Sequence, residues 1–193
     1  MKSTDRTGLA IILSLIALIF FDAMGLIIKH LSSTYSAAEL SAWRNIFGLI
    51  PSLIALWSTR RWHAAGRPIR MRQWKLAVLR GVIVTVAQLM FYLSLGRLAF
   101  ATASTITYAN ALFLTALAVP LLGEVVGKVR WSAVMIGFCG VIVIMRPGSD
   151  AFTTDALLPL GAAALYALVG VTARLVDDDV PSPLLNLYAS MTA

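Results

Sequence analysis

From Gly8 onward the chain is a succession of apolar runs, each about as long as a bilayer is thick. A helix crossing a ~30 Å hydrocarbon core needs roughly 20 mostly apolar residues. The first run, Gly8–Ile28, is interrupted only by Asp22. Others follow at 37–57, 77–96, 101–122, 131–146 and 156–176, and a further one opens at Leu184. Helices on the surface of a water-soluble domain carry a polar face, and these runs have almost none. The expected fold class is therefore an all-α polytopic membrane protein.

The composition explains the charge. Hydrophobic residues make up 59% and charged residues 13%, about half the charged share of an average soluble domain. The net charge of +7 would suit nucleic acid, but its placement does not. Arg60, Arg61, Arg67, Arg70, Arg72, Lys75 and Arg80 form one acid-free stretch between two spans. Basic loops between spans mark the cytoplasmic side. The same orientation puts Lys2, Arg6, Lys128, Arg130 and Arg174 inside and only Lys29, Arg97 and Arg146 outside, so the N-terminus is expected in the cytoplasm. Lys2 and Arg6 before an apolar run also resemble a signal peptide. The run is long, lacks a small-residue cleavage site and leads into further spans, so it reads as an uncleaved first helix. Cys139, the single cysteine, lies in a span and supports neither a disulfide framework nor a Cys-based metal site. No cofactor is implied.

Short loops force antiparallel neighbours. Ser32, Ser33 and Ser36 are candidate helix caps between spans 1 and 2, and a tight turn near Gly96–Ala99 joins spans 3 and 4. Trp57, Trp62, Trp74 and Trp131 lie near predicted boundaries, where interfacial anchors sit. Gly137 and Gly140 on span 5, and Gly161, Ala164 and Ala167 on span 6, are small enough for close helix packing. Pro51 and Pro120 are candidate kinks.

The polar residues at membrane depth carry the functional information, because charge there is costly and faces a cavity or the protein interior. Asp22 lies about 21 Å along the first helix from Gly8, and Arg44 is at about the same depth on the returning helix, at 1.5 Å per residue. They are expected to be partners, either as a fixed ion pair or as binding groups for a charged solute or a proton. The same arithmetic puts Tyr92, Tyr108, Asn110 and Tyr166 near mid-span, with Gln88 slightly nearer the inside. Each alone is explained by packing; their convergence from several helices suggests a polar chamber for a small solute. Trp43, Phe91 and Phe113 lie nearby in sequence and face either that chamber or lipid.

The stretch Leu79–Gly148, LRGVIVTVAQLMFYLSLGRLAFATASTITYANALFLTALAVPLLGEVVGKVRWSAVMIGFCGVIVIMRPG, resembles the EamA-type repeat of the drug/metabolite transporter superfamily. So does the entry pattern of Asp22, Lys29, Glu39 and Arg44. The resembling features are the R-G opening of span 3, the short-turn hairpin, the G-E at the inner end of span 4 and the following I-G-F-x-G-V. The resemblance covers residues 8–146 as one five-helix repeat, with 156–193 as the start of a second, inverted one. It implies ten helices in the complete protein, cytoplasmic termini, a bacterial inner-membrane location and a solute cavity between repeats. Members carry small solutes, and the Asp22–Arg44 region looks nearest to the S-adenosylmethionine carrier branch. Where many members have a proline before a Leu-Phe pair in span 4, this chain has Ala111, so the family's kink is not expected there. The chain stops inside what would be span 7, and the resemblance implies about three more helices.

Three functions compete. A secondary transporter of amino-acid-like or nucleoside-containing metabolites uses Asp22, Arg44, Gln88, Tyr92, Tyr108, Asn110 and Tyr166 as its substrate site. A membrane-embedded enzyme needs a His/Asp/Glu constellation, but His30 and His63 are isolated and Asp177–Asp179 reads as a solvated loop. A non-transporting assembly protein has no need for polar residues from four helices at one depth. The transporter is the leading expectation, with a small-molecule solute and the lipid bilayer as its partners and no nucleic acid.

Overall fold

The capping chemistry shows how the sequence starts and stops its helices. The structure is a computed structural model that describes residues 3–64, 66, 73–146, 153–176 and 180–192. Its α-helices are α1 (Ser3–Leu31), α2 (Ala37–Ser58), α3 (Arg60–Ala64), α4 (Trp74–Arg97), α5 (Phe100–Thr107), α6 (Asn110–Leu122), α7 (Lys128–Met145), α8 (Leu157–Ala173) and α9 (Ser182–Thr192). Ser36 caps α2 in a reciprocal box: the Glu39 N–H donates to Ser36 Oγ at 3.3 Å, and the Ser36 N–H donates to Glu39 Oε2 at 2.8 Å. Ser32 and Ser33 act on the other helix, donating to the Lys29 and His30 carbonyls that end α1, at 2.7 and 2.9 Å. α6 stops at Gly123, whose φ of 67° is the left-handed conformation that glycine adopts without strain.

Six helical segments among the described residues are long and apolar enough to cross a membrane, α5 and α6 together forming one of them. Their outer faces are as apolar as their inner ones. Ile19, Phe20, Phe47 and Ile54 are all well exposed. In water such a surface would be an anomaly; in a bilayer it is the solvated face. The spans agree with those expected from the apolar runs. Arg67, Arg70, Arg72 and Asp177–Asp179 lie outside the described residues.

Span 4 is not one helix. It breaks at Tyr108–Ala109, between α5 and α6. Around the break the bonds shorten to the 3₁₀ pattern: Ala109 to Ile106, Ala111 to Tyr108 and Leu112 to Ala109. The cause is local. Thr105, Ile106 and Thr107 are three β-branched residues in succession, which are weak in helices. Thr105 Oγ1 and Thr107 Oγ1 also donate to the Ala101 and Ala103 carbonyls, at 2.7 and 2.8 Å, a pattern that bends helices. The span is therefore interrupted without a proline, while Pro51 and Pro120 sit within continuous helix.

α8 makes the most extensive packing, against α4 on one side and α6 on the other. It fits because its contact face is small: Ala162, Ala163 and Ala167 are fully or almost fully buried. A Cβ at Gly170 would lie 2.6 Å from Leu114 Cδ1, and one at Gly161 would meet the Met90 side chain. Gly137 faces Leu112 in the same way, whereas Gly140 has open space beside it. Two ion pairs tie the ends of α8 to the preceding helices. Arg97 Nη1 meets Asp155 Oδ1 at 2.7 Å, and Arg174 Nη1 meets Glu124 Oε1 at 2.5 Å.

Two of the apolar clusters bracket the middle of the bundle. One, toward the α1–α2 turn, joins Ile28, Leu40, Phe91, Tyr92, Leu95, Ala103 and Ala162. The other, toward the opposite end of α2 and α4, joins Leu56, Trp62, Ala77, Leu184 and Leu187. Trp62 is thus a core residue rather than an interfacial anchor. The short α3 turns it back under α9, beside Leu184, where it is 7% exposed. Trp57, Trp74 and Trp131 remain exposed, as anchors would be. Trp43 is also exposed and stacks on Phe47 at 5.8 Å.

Candidate functional site

The space between those clusters is where the polar residues of the spans converge. Arg44 is central. Its Nη1 donates to Gln88 Oε1 across the α2–α4 interface. Gln88 is held in turn, its Nε2 donating to Ser41 Oγ at 2.6 Å. Gln88 is 1% exposed, so this amide bridge is a buried polar network. Such a network fixes its members only when each is satisfied, and here the amide oxygen and nitrogen both have partners.

The expected Asp22–Arg44 pair does not form. Among the described residues the ion pairs are Arg97–Asp155 and Arg174–Glu124. Asp22 accepts instead from the Tyr108 hydroxyl, at 2.7 Å. Equal depth places two residues in one layer but does not fix the direction in which each faces around its helix. Asp22 is served by the break in span 4, because Tyr108 stands at that break and reaches back to α1.

Two cavities meet this layer. The smaller, of about 190 Å³, is lined by Phe21, Arg44, Phe91, Ser104, Thr107, Tyr108, Asn110 and Tyr166. The larger, of about 480 Å³, is lined by Met24, Arg44, Asn45, Gly48, Ser52, Val84, Asn186, Ala189 and Ser190. Arg44 borders both. Four of the seven residues singled out from sequence, Arg44, Tyr108, Asn110 and Tyr166, line the smaller cavity. Asp22 and Gln88 stand behind it, each bonded to one of its lining residues. Tyr92 is 3% exposed within the neighbouring core cluster, and its hydroxyl has no hydrogen-bond partner.

Sequence reasoning passed over Ser41, Asn45, Ser104, Asn186 and Ser190. Asn45 carried a readable signal: it is an amide at the same depth as Arg44 and its chain neighbour. Phe91 faces the smaller cavity. Phe113 packs edge-on against Phe138 at 5.0 Å, and Trp43 lines neither cavity. A separate tie holds the far end of this layer. Lys29 Nζ donates to the carbonyls of Leu95 and Leu98, at 2.5 and 2.9 Å. A cation there satisfies the last carbonyls of α4 and complements its dipole.

Curated proteins similar to this chain are transporters by name. The chain is 26% identical over 161 residues to an S-adenosylmethionine uptake transporter of Rickettsia prowazekii, covering 83% of this chain and 52% of that protein. It is 38% identical over 65 residues to a riboflavin transporter of Vibrio cholerae, covering 33% of this chain and 22% of that protein. A pseudopaline exporter of Pseudomonas aeruginosa is 22% identical over 171 residues, covering 88% and 58%. The chain spans about half the length of the S-adenosylmethionine transporters it matches. No solved structure gives a significant match. The description of the EamA-like transporter family fits residues 8–146, the five spans that bring Arg44, Gln88 and Tyr108 together, and on that match the chain belongs to the EamA-like transporter family.

Proposed function

We propose that the complete protein is a secondary transporter of small metabolites, either amino-acid-like or nucleoside-containing solutes such as S-adenosylmethionine. One observation carries this reading. A cavity at mid-span is lined by an intramembrane arginine, an amide and two tyrosines contributed by different helices. Transporter sites tend to lie at that depth, at a repeat interface and beside interrupted helices. Asp22, Arg44, Gln88, Tyr92, Tyr108, Asn110 and Tyr166 form the solute site or hold it in place. Residues 8–146 form one five-helix repeat, and 156–193 open a second, inverted repeat of a ten-helix whole. The N-terminus and the basic Arg60–Arg80 stretch face the cytoplasm of a bacterial cell, with the protein in the inner membrane.

The test is uptake of labelled S-adenosylmethionine, amino acids and purine metabolites into proteoliposomes of the complete protein. Tyr166→Phe and Asn110→Ala, at two residues that line the smaller cavity, are expected to change the affinity for whichever solute is carried while leaving expression intact. Uptake kinetics unchanged by both substitutions and by Arg44→Gln would place the site elsewhere.

A further inference from the structure

Arg44 is a charge at membrane depth whose bound partner is neutral. Its Nη1 is held by the Gln88 amide oxygen, and neither ion pair among the described residues includes it. Asp22, the acid at comparable depth, is bonded to Tyr108 and lines neither cavity. Asn45, which lines the larger cavity with Arg44, is 7% exposed, and its Nδ2 has no hydrogen-bond partner. In the smaller cavity Ser104 Oγ is likewise buried without a partner. Buried polar atoms in native proteins are almost always satisfied. The site therefore presents a cation with, buried beside it, an N–H donor that has no partner, and among the described residues no acid lines either cavity.

The geometry points to a carboxylate on the solute as the missing partner of Arg44, bound in the larger cavity with Asn45 Nδ2 donating to it. A carboxylate is planar and takes paired N–H bonds from a guanidinium. The N–H groups not used by Gln88 are the ones it engages, and its remaining lone pairs accept from Asn45. A phosphate dianion would call for a second cation, and among the described residues neither lining supplies one. Arg44 is the charged residue that the two linings share among the described residues, so the group it recognises is the solute's carboxylate. This inference rests on the carrier reading above and narrows its substrate class to solutes that carry a carboxylate, whether or not they also carry an amino group.

Equilibrium binding to the purified complete protein tests it with matched probes: L-phenylalanine, N-acetyl-L-phenylalanine and L-phenylalaninamide, and S-adenosylmethionine beside its decarboxylated form. At least one acid is expected to bind about tenfold or more tightly than its partner lacking the carboxylate, the size of a charged hydrogen bond. Acetylating the amine is expected to change affinity by less than that. Arg44→Gln should erase the preference and Arg44→Lys should keep part of it. Asn45→Asp, which supplies an internal counter-ion, should abolish acid binding while the helical circular dichroism is retained. The inference is overturned if no acid binds, if acid and amide bind equally, or if Arg44→Gln preserves the preference. Uptake of a neutral solute without acid binding would overturn it and leave the carrier reading standing. Acid binding with no uptake of any solute would do the reverse.

Discussion

The Tyr108 hydroxyl donates to Asp22 Oδ1 at 2.7 Å, joining the first span to the break in the fourth. The bond gives the carboxylate of α1 a donor and fixes the tyrosine at the cavity edge. Tyr108→Phe is expected to lower stability in detergent by about 1–3 kcal/mol, because it leaves a carboxylate at membrane depth without its donor. Asp22→Asn should cost less, since the amide oxygen still accepts from Tyr108. In a double-mutant cycle Asp22 and Tyr108 should couple by about 0.5–3 kcal/mol, while Asp22 and Arg44 should be nearly additive. Thermal unfolding of the four proteins in each cycle checks both; strong Asp22–Arg44 coupling would contradict the geometry.

Gln88 is the support of Arg44. Gln88→Leu removes the acceptor for Arg44 Nη1 and the donor to Ser41 together. The expected result is a stability loss of about 2 kcal/mol or more, because a hydrogen bond to a charged group is lost as well as a neutral one. Gln88→Glu should fold, since it offers the guanidinium an ion pair, yet it should weaken the binding of anionic solutes. Unfolding midpoints together with solute binding separate the two roles; unchanged binding in Gln88→Glu would show that Arg44 does not meet the solute.

Lys29 ties α1 to the end of α4. Lys29→Met should free the Leu95 and Leu98 carbonyls and destabilise the turn that follows them. Faster amide hydrogen exchange is expected at Leu98 and Ala103, whose N–H groups bond within that corner, with much smaller changes in α7. Exchange rising equally in both regions would indicate general loosening rather than loss of a local tie.

Sidedness is checked with a single introduced cysteine at Ala65, in a Cys139→Ser background. It should resist an impermeant thiol reagent in intact cells and react in inverted vesicles, as a cytoplasmic basic loop would. Labelling in intact cells would invert the orientation of every span.

The helices were legible in the sequence because apolar length and capping residues are local properties. Ser36 and Glu39 announce the start of α2, and Gly123 the end of α6. The layer of polar residues was legible too, since rise per residue converts position into depth. Azimuth was not. Asp22 and Arg44 share a layer but turn to Tyr108 and Gln88, and only packing decides that. The interruption of span 4 is carried by no proline. Its signal was the Thr-Ile-Thr run, whose hydroxyls compete for helix carbonyls. Trp62 was misassigned because α3 is a five-residue helix, too short to show a periodic pattern, and it folds the ring inward.

The seating of α8 has a bearing on how the chain is made. Helices enter the membrane in the order of synthesis, and α8 comes after the third and fourth spans, against which it packs. Until it arrives, the groove between α4 and α6 has no occupant, and the Ala162–Ala163 face has no surface to lie on. The first five spans therefore wait in the bilayer with that groove open, and the sixth fills it. Bulk added at Gly161 or Gly170 would strike at that moment of biogenesis, leaving the earlier helices inserted but open.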